Sequence, residues 1–138
     1  MRTLLTVLLS KKELVNNGKF LNGTTGWTAG ALAGLSIVSG RLRITNAGAT
    51  FGYAYQTIAT LPGRKYNVVA LGQKGTASLA RVYAGTTAGS SNLGQAAPES
   101  LSSPAMFSFF ATGTTTYISL VNGNEADAYN DYQSVSVR

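Results

Sequence analysis

Residues 50–71, TFGYAYQTIATLPGRKYNVVAL, narrow the fold more than any other stretch of the chain. Phe51, Tyr53 and Tyr55 alternate with Gly52, Ala54, Gln56 and Ile58. That is the two-residue period of a strand, whose successive side chains point to opposite faces. Leu61-Pro62-Gly63-Arg64 follows, with Pro at the second turn position and Gly at the third, the signature of a type II turn. Residues 65–71 then alternate again around Tyr66, Val68 and Ala70. Because both faces of this segment are apolar, it reads as a central strand covered on both sides.

The same grammar recurs along the chain. Residues 34–46 read as two short strands split at Gly40, with Leu42 and Ile44 inward and Arg41, Arg43 and Thr45 outward. Residues 77–84 place Ala80, Val82 and Ala84 on one side and Leu79, Arg81 and Tyr83 on the other. MFSFFAT puts Phe107 and Phe109 on one face, TTYISLVN turns Ile118 and Leu120 inward, and the last strand alternates Val135 and Val137 with serines. A short strand is expected at the Glu13-Leu14-Val15 start. The Gly/Ser/Thr/Pro-rich region 85–104 reads as a long loop with short strands near Leu93 and Leu101. Asn17-Gly18 and Asn22-Gly23 are turn pairs that tolerate positive φ. Trp27 is expected to be a core residue closing that loop, with sugar stacking as the alternative. In all, about eight or nine short strands with turn signals every 8–12 residues or so predict an all-β, two-sheet antiparallel sandwich.

Composition supports this and removes several function classes. Only 12% of residues are charged, too few for the polar faces of amphipathic helices. Cysteine and histidine are absent, which excludes disulfides, thiol nucleophiles, the common zinc sites and imidazole acid–base chemistry. The acids that fall near one another are Glu125, Asp127 and Asp131, and their place beside a turn reads as a solvated loop rather than a catalytic pair. No catalytic residues are assigned, and the chain is expected not to be an enzyme. The net charge of +6 is uneven: residues 1–81 hold ten of the eleven Lys and Arg, while four of the five acids lie in 82–138. The basic residues are scattered singly, not clustered with aromatics, so nucleic acid is not an expected partner.

The chain divides into an arm, residues 1–12, and one domain, residues 13–138. MRTLLTVLLSKK has a seven-residue apolar run, too short to cross a bilayer, and no small-x-small cleavage site. It reads as an extended arm. Leu4, Leu5, Val7 and Leu8 are expected either to dock on a neighbouring subunit or to pair within the same sandwich.

Taken in order, LVNNGKFLNGTTGW, GYAYQTIATLPGRKYNVVAL, RVYAG, FSFFATGTTTYISL and AYNDYQSVSVR resemble the carbohydrate-binding modules of the galactose-binding-like jelly-roll group. Such modules occur beside glycoside hydrolases and on bacteriophage virion proteins. The resemblance spans about residues 13–138. It implies a jelly roll with a glycan-binding face or loop end, and often a structural calcium. Tyr53, Tyr55, Arg81 and Tyr83 are residues whose rings and charge suit sugar contact, and the alternative is that this aromatic row is the core face of its strand. Asp131 matches the acidic position before the last strand. The acids that such modules carry near Lys19 and Leu21 are missing, so a site of about 6–8 oxygens is thinly supplied. No cofactor is therefore expected beyond the calcium that the resemblance raises at Asp131.

The expected function is that of a non-enzymatic virion structural protein, a capsid decoration or tail component. It would be a homo-oligomer docked on other virion subunits through its arm, with an outer surface able to bind host polysaccharide. The alternative is a free-standing secreted carbohydrate-binding module.

Overall fold

A computed structural model describes residues 12–138; Leu4, Leu5, Val7 and Leu8 lie outside the described residues. Ten strands follow in order: β1 (Thr28–Gly30), β2 (Gly34–Val38), β3 (Arg41–Thr45), β4 (Tyr53–Ala59), β5 (Lys65–Lys74), β6 (Ala80–Gly85), β7 (Gly94–Ala96), β8 (Ala105–Phe110), β9 (Thr115–Asn122) and β10 (Tyr129–Val137). They form two five-stranded sheets, β1-β4-β9-β6-β7 and β2-β3-β10-β5-β8, and every pairing is antiparallel. The architecture is the two-sheet antiparallel sandwich that the strand periods predict, in the jelly-roll form that the resemblance implies, with slightly more strands than expected.

The core fills the space between the sheets, because each strand turns its alternate apolar residues inward. The first sheet contributes Ala54, Ile58, Val82, Ala84, Ile118 and Leu120. The second contributes Leu42, Ile44, Val68, Phe109, Tyr132 and Val137. Trp27 is in this core, tilted against Phe20 at 5.7 Å between ring centroids, and its indole N–H donates to the Asn17 carbonyl at 3.1 Å. The type II turn forms as its residues demand: Gly63 has φ 82° and the Arg64 amide donates to the Leu61 carbonyl at 3.1 Å. Gly18 meets a different requirement. A Cβ there would lie 2.2 Å from the Val135 carbonyl oxygen, which only glycine avoids.

Three local expectations need correction. Glu13-Leu14-Val15 is not a strand. Leu14 makes one ladder-like bond to the Val137 carbonyl at 2.9 Å, and Glu13 instead turns its carboxylate onto the Val15 and Val137 amides. Near Leu101 there is an isolated Ser100–Ser103 bridge rather than a strand. Strand β5 is flanked by β10 and β8, but its second face is not covered: Lys65, Asn67 and Val69 are exposed. The apolar residues on that face lie on the outside of the sandwich. Strand β1, unremarked in the sequence, pairs with β4.

Candidate functional site

Register determines which side chains share the outer face of the first sheet. Antiparallel partners point the same way, so Tyr55, Ser119, Tyr83 and Gln95 form one row across β4, β9, β6 and β7. Tyr53, Val121 and Arg81 form the row beside it. Four residues predicted from sequence as glycan contacts, Tyr53, Tyr55, Arg81 and Tyr83, thus lie on one face, in adjacent rows. Their inward neighbours Ala54, Gln56, Val82 and Ala84 are buried, whereas the tyrosines are half-buried.

The sequence did not single out Tyr117, which completes the ring series. Tyr53 and Tyr55 are 6.1 Å apart, and Tyr55 and Tyr117 are 5.9 Å apart, both tilted. Tyr117 alternates with Ile118 and is therefore outward by the same rule as Tyr55. Its nearness to Tyr55 depends on the β4–β9 register, which no local pattern carries. With strands spaced about 4.8 Å apart, Tyr83 stands about 10 Å from Tyr55 across Ser119.

Glycines and one loop hold this face in shape. The Tyr53 ring lies over Gly30 of β1, where a Cβ would come within 2.1 Å of it, and against Gly89, whose Cβ would be 3.1 Å away. Gly89 belongs to the loop 86–93, which crosses the face and donates its amide to the Ser119 hydroxyl at 2.9 Å. Asn92 closes that loop on itself, accepting from the Thr86 amide at 2.9 Å and donating to the Thr86 hydroxyl at 3.1 Å. The long Gly/Ser/Thr region therefore borders the tyrosines. Phe51, grouped with Tyr53 and Tyr55 by period, lies before β4 and is exposed.

Arg81 is held at the rim. Its guanidinium donates to Glu99 and to the Ala80 carbonyl, both at 3.0 Å, and Glu99 also accepts from the Ala80 amide. The resulting surface offers tilted phenol rings, the exposed Gln95 amide and a guanidinium on a rigid sheet, while Ser119 is fully buried beneath the loop. Such a set can pack against the C–H faces of sugar rings and hydrogen-bond their hydroxyls.

Asp131 has another partner. Its two carboxylate oxygens accept from Arg43 Nε at 2.8 Å and from a terminal Arg43 nitrogen at 3.0 Å, a bidentate pair that is the strong geometry for this contact. The Arg43 guanidinium also lies 3.9 Å from the centroid of the Tyr129 ring. Lys19 and Leu21 are exposed, and among the described residues no group of three or more His, Cys, Asp or Glu could hold a metal. The residues present do not fit a calcium cage: the one matching carboxylate is already neutralised. The remaining acids near it do backbone work, Glu125 accepting from the Ser78 amide at 2.8 Å and Asp127 from the Gly48 amide at 3.1 Å.

No protein-family profile and no curated protein sequence matches the chain. Solved structures do. A CBM4 module superimposes with a TM-score of 0.64 at 17% identity, over 90% of this chain and 99% of that one. TmCBM61, solved with β-1,4-galactotriose, gives 0.63 at 14% identity, over 92% and 98%. The enzymatically active domain of tailspike protein 4 from bacteriophage CBA120 gives 0.60 at 12% identity over 91% of this chain, which spans 21% of that chain. The chain thus has the jelly-roll fold shared by carbohydrate-binding modules and a phage tailspike domain. No helix of the described residues is long and apolar enough to cross a membrane.

Proposed function

We propose that the chain is a non-catalytic glycan-binding sandwich, and that it serves as a virion structural protein, a capsid decoration or tail component. The observation that carries the binding reading is the series Tyr53–Tyr55–Tyr117 on an outer sheet face, with Tyr83 and Gln95 beside it. Buried rings would be core. Half-buried rings in a row, on the face away from the core, present surface that a sugar can cover. The fold neighbours that are named carbohydrate-binding modules support the same reading.

The virion reading draws support from the tailspike neighbour and from the apolar run Leu4, Leu5, Val7 and Leu8, which suits docking on another subunit by strand addition. A free-standing secreted module is the second reading, supported by the near-complete coverage of the CBM4 and CBM61 chains.

A glycan array followed by affinity electrophoresis in β-1,4-galactan and in xylan tests the binding. Retention is expected on at least one neutral polysaccharide, weakened about tenfold or more by Tyr55→Ala or Tyr117→Ala, since a base-sized ring stack is worth about 1–3 kcal/mol. No retention on any glycan, or retention indifferent to both substitutions, rejects the assignment of this face. Light scattering separates the two settings. A homo-oligomer that becomes monomeric in Leu4→Ser/Leu8→Ser fits the assembly role, and a monomer at all concentrations fits the secreted module.

A further inference from the structure

A second feature lies at the end of the sandwich that bears the Pro62-Gly63 turn and extends onto the outer face of the second sheet. Lys12, Lys19, Arg64 and Lys65 are exposed there, and none of them pairs with an acid among the described residues. Three adjoining grooves connect them. One, of about 230 Å³, is lined by Lys12, Leu61, Arg64 and Arg138 among others. The next, of about 280 Å³, shares Arg64 and Arg138 and adds Lys65, Asn67 and Val69. A third, of about 400 Å³, joins at Arg138 and reaches Lys19, with Glu13 as the one side-chain anion lining any of them.

The same end exposes apolar surface. Phe110 is 61% exposed and stands directly across from Lys65 in the β5–β8 ladder; Met106, 68% exposed, stands across from Val69. Between them the Asn67 side-chain carbonyl accepts from the Ser108 hydroxyl at 2.7 Å. Directly opposed antiparallel residues have Cβ atoms about 5 Å apart, so a cation and an open phenyl ring lie side by side.

We propose that this face is a second binding surface, distinct from the tyrosine face, for an acidic polysaccharide whose ring packs on Phe110 while its carboxylate pairs with Lys65 and Arg64. Charge complementarity selects the anion: four cations unpaired by acids and one lining acid attract negative charge through a screened surface field. The mixture selects the polymer. Duplex nucleic acid carries about one charge per 1.7 Å and is met by dense cations with interleaved aromatics. Here one ring and an amide–hydroxyl pair accompany a few cations, which suits a chain with one carboxylate per sugar. The assignment does not rest on the tyrosine face, and the two can fail separately.

Affinity electrophoresis in polygalacturonate, in its methyl ester and with a competing DNA duplex provides the test. The expected result is retention by polygalacturonate that falls about tenfold or more with the ester, with Arg64→Glu/Lys65→Glu, or on raising salt from about 0.05 to 0.3 M. Phe110→Ser should weaken retention as well, while Tyr55→Ala should leave it unchanged. All these positions are exposed or half-buried, and circular dichroism of each variant verifies the fold. Equal retention by the ester, retention that survives charge reversal, loss in Tyr55→Ala, or preferential binding of DNA would each overturn the proposal. So would no retention at low salt.

Discussion

At the scale of single residues, Glu13 shows how a poor strand former becomes a fastening. Burial pushes its carboxyl up, but the Ser136 hydroxyl, the Val137 and Val15 amides and Arg138 together outweigh that and hold it below its ordinary value of 4.5. A carboxylate whose pKa is depressed by folding adds stability that is complete above its unfolded value and disappears as pH falls through the folded one. Thermal unfolding followed from pH 7 to pH 3 should therefore show the native protein losing its Tm advantage over Glu13→Gln below about pH 4.5. Parallel curves would mean that the carboxylate is not coupled to folding. Two glycines make a second contrast. In Gly18→Ala the new methyl meets a backbone carbonyl at 2.2 Å, which cannot swing away, so a loss of about 3 kcal/mol is expected in urea unfolding. In Gly30→Ala the obstacle is the end of the Tyr53 ring at 2.1 Å, which can rotate out. Stability should fall by about 1 kcal/mol, while retention on neutral glycan is disturbed.

At the scale of elements, one end of the sandwich is tied together by buried amides. Asn122 Nδ2 donates to the Ile44 carbonyl at 2.7 Å, and its Oδ1 accepts from Asn130 and from the Tyr132 hydroxyl, both at 3.0 Å. Asn46 joins the same set, accepting from Gly52 at 3.0 Å and donating to the Gly123 carbonyl at 2.6 Å. Strands β3, β9 and β10 are thereby cross-linked between sheets, and no buried side-chain polar atom among the described residues lacks a partner. Burial pushes the Tyr132 phenol well above its ordinary value, so it stays a donor at any pH the fold survives. Tyr132→Phe removes the one hydroxyl proton shared between the Val121 carbonyl at 3.1 Å and Asn122 Oδ1 at 3.0 Å. A loss of about 1–2 kcal/mol follows, read as a lower urea midpoint with an unchanged m-value. A changed m-value would show instead that the network holds the two sheets in one cooperative unit.

At the scale of the whole molecule, the two sheets separate two kinds of surface: tyrosines over the first, cations with exposed phenyl and methionine over the second. The Arg43–Asp131 pair lies on the second sheet, where a calcium ion is the expectation of resemblance alone. With that carboxylate held by a guanidinium, adding calcium or a chelator should move the Tm by less than about 1 °C, because a ligand stabilises only what it binds. A calcium-dependent rise of several degrees would show that other oxygens assemble a site. Much of this was legible in the chain itself. Alternation put Leu42, Ile44, Ile118 and Leu120 inward, and Pro62-Gly63 set its turn, because strand pleat and turn dihedrals are local properties of a few adjacent residues. The misreadings also have local causes. Strand β1 is three residues without alternation, and Val69 and Leu71 look like core by composition although β5 turns them outward. The face that gathers Tyr53, Tyr55, Tyr83 and Arg81, the arrival of Tyr117 beside Tyr55 and the bond between Arg43 and Asp131 are another matter. Sequence by itself determined which side chains share a face of their own strand; tertiary structure decided which of those faces meets the core and which strands lie side by side, because strand order and register are set by packing between residues far apart in the chain.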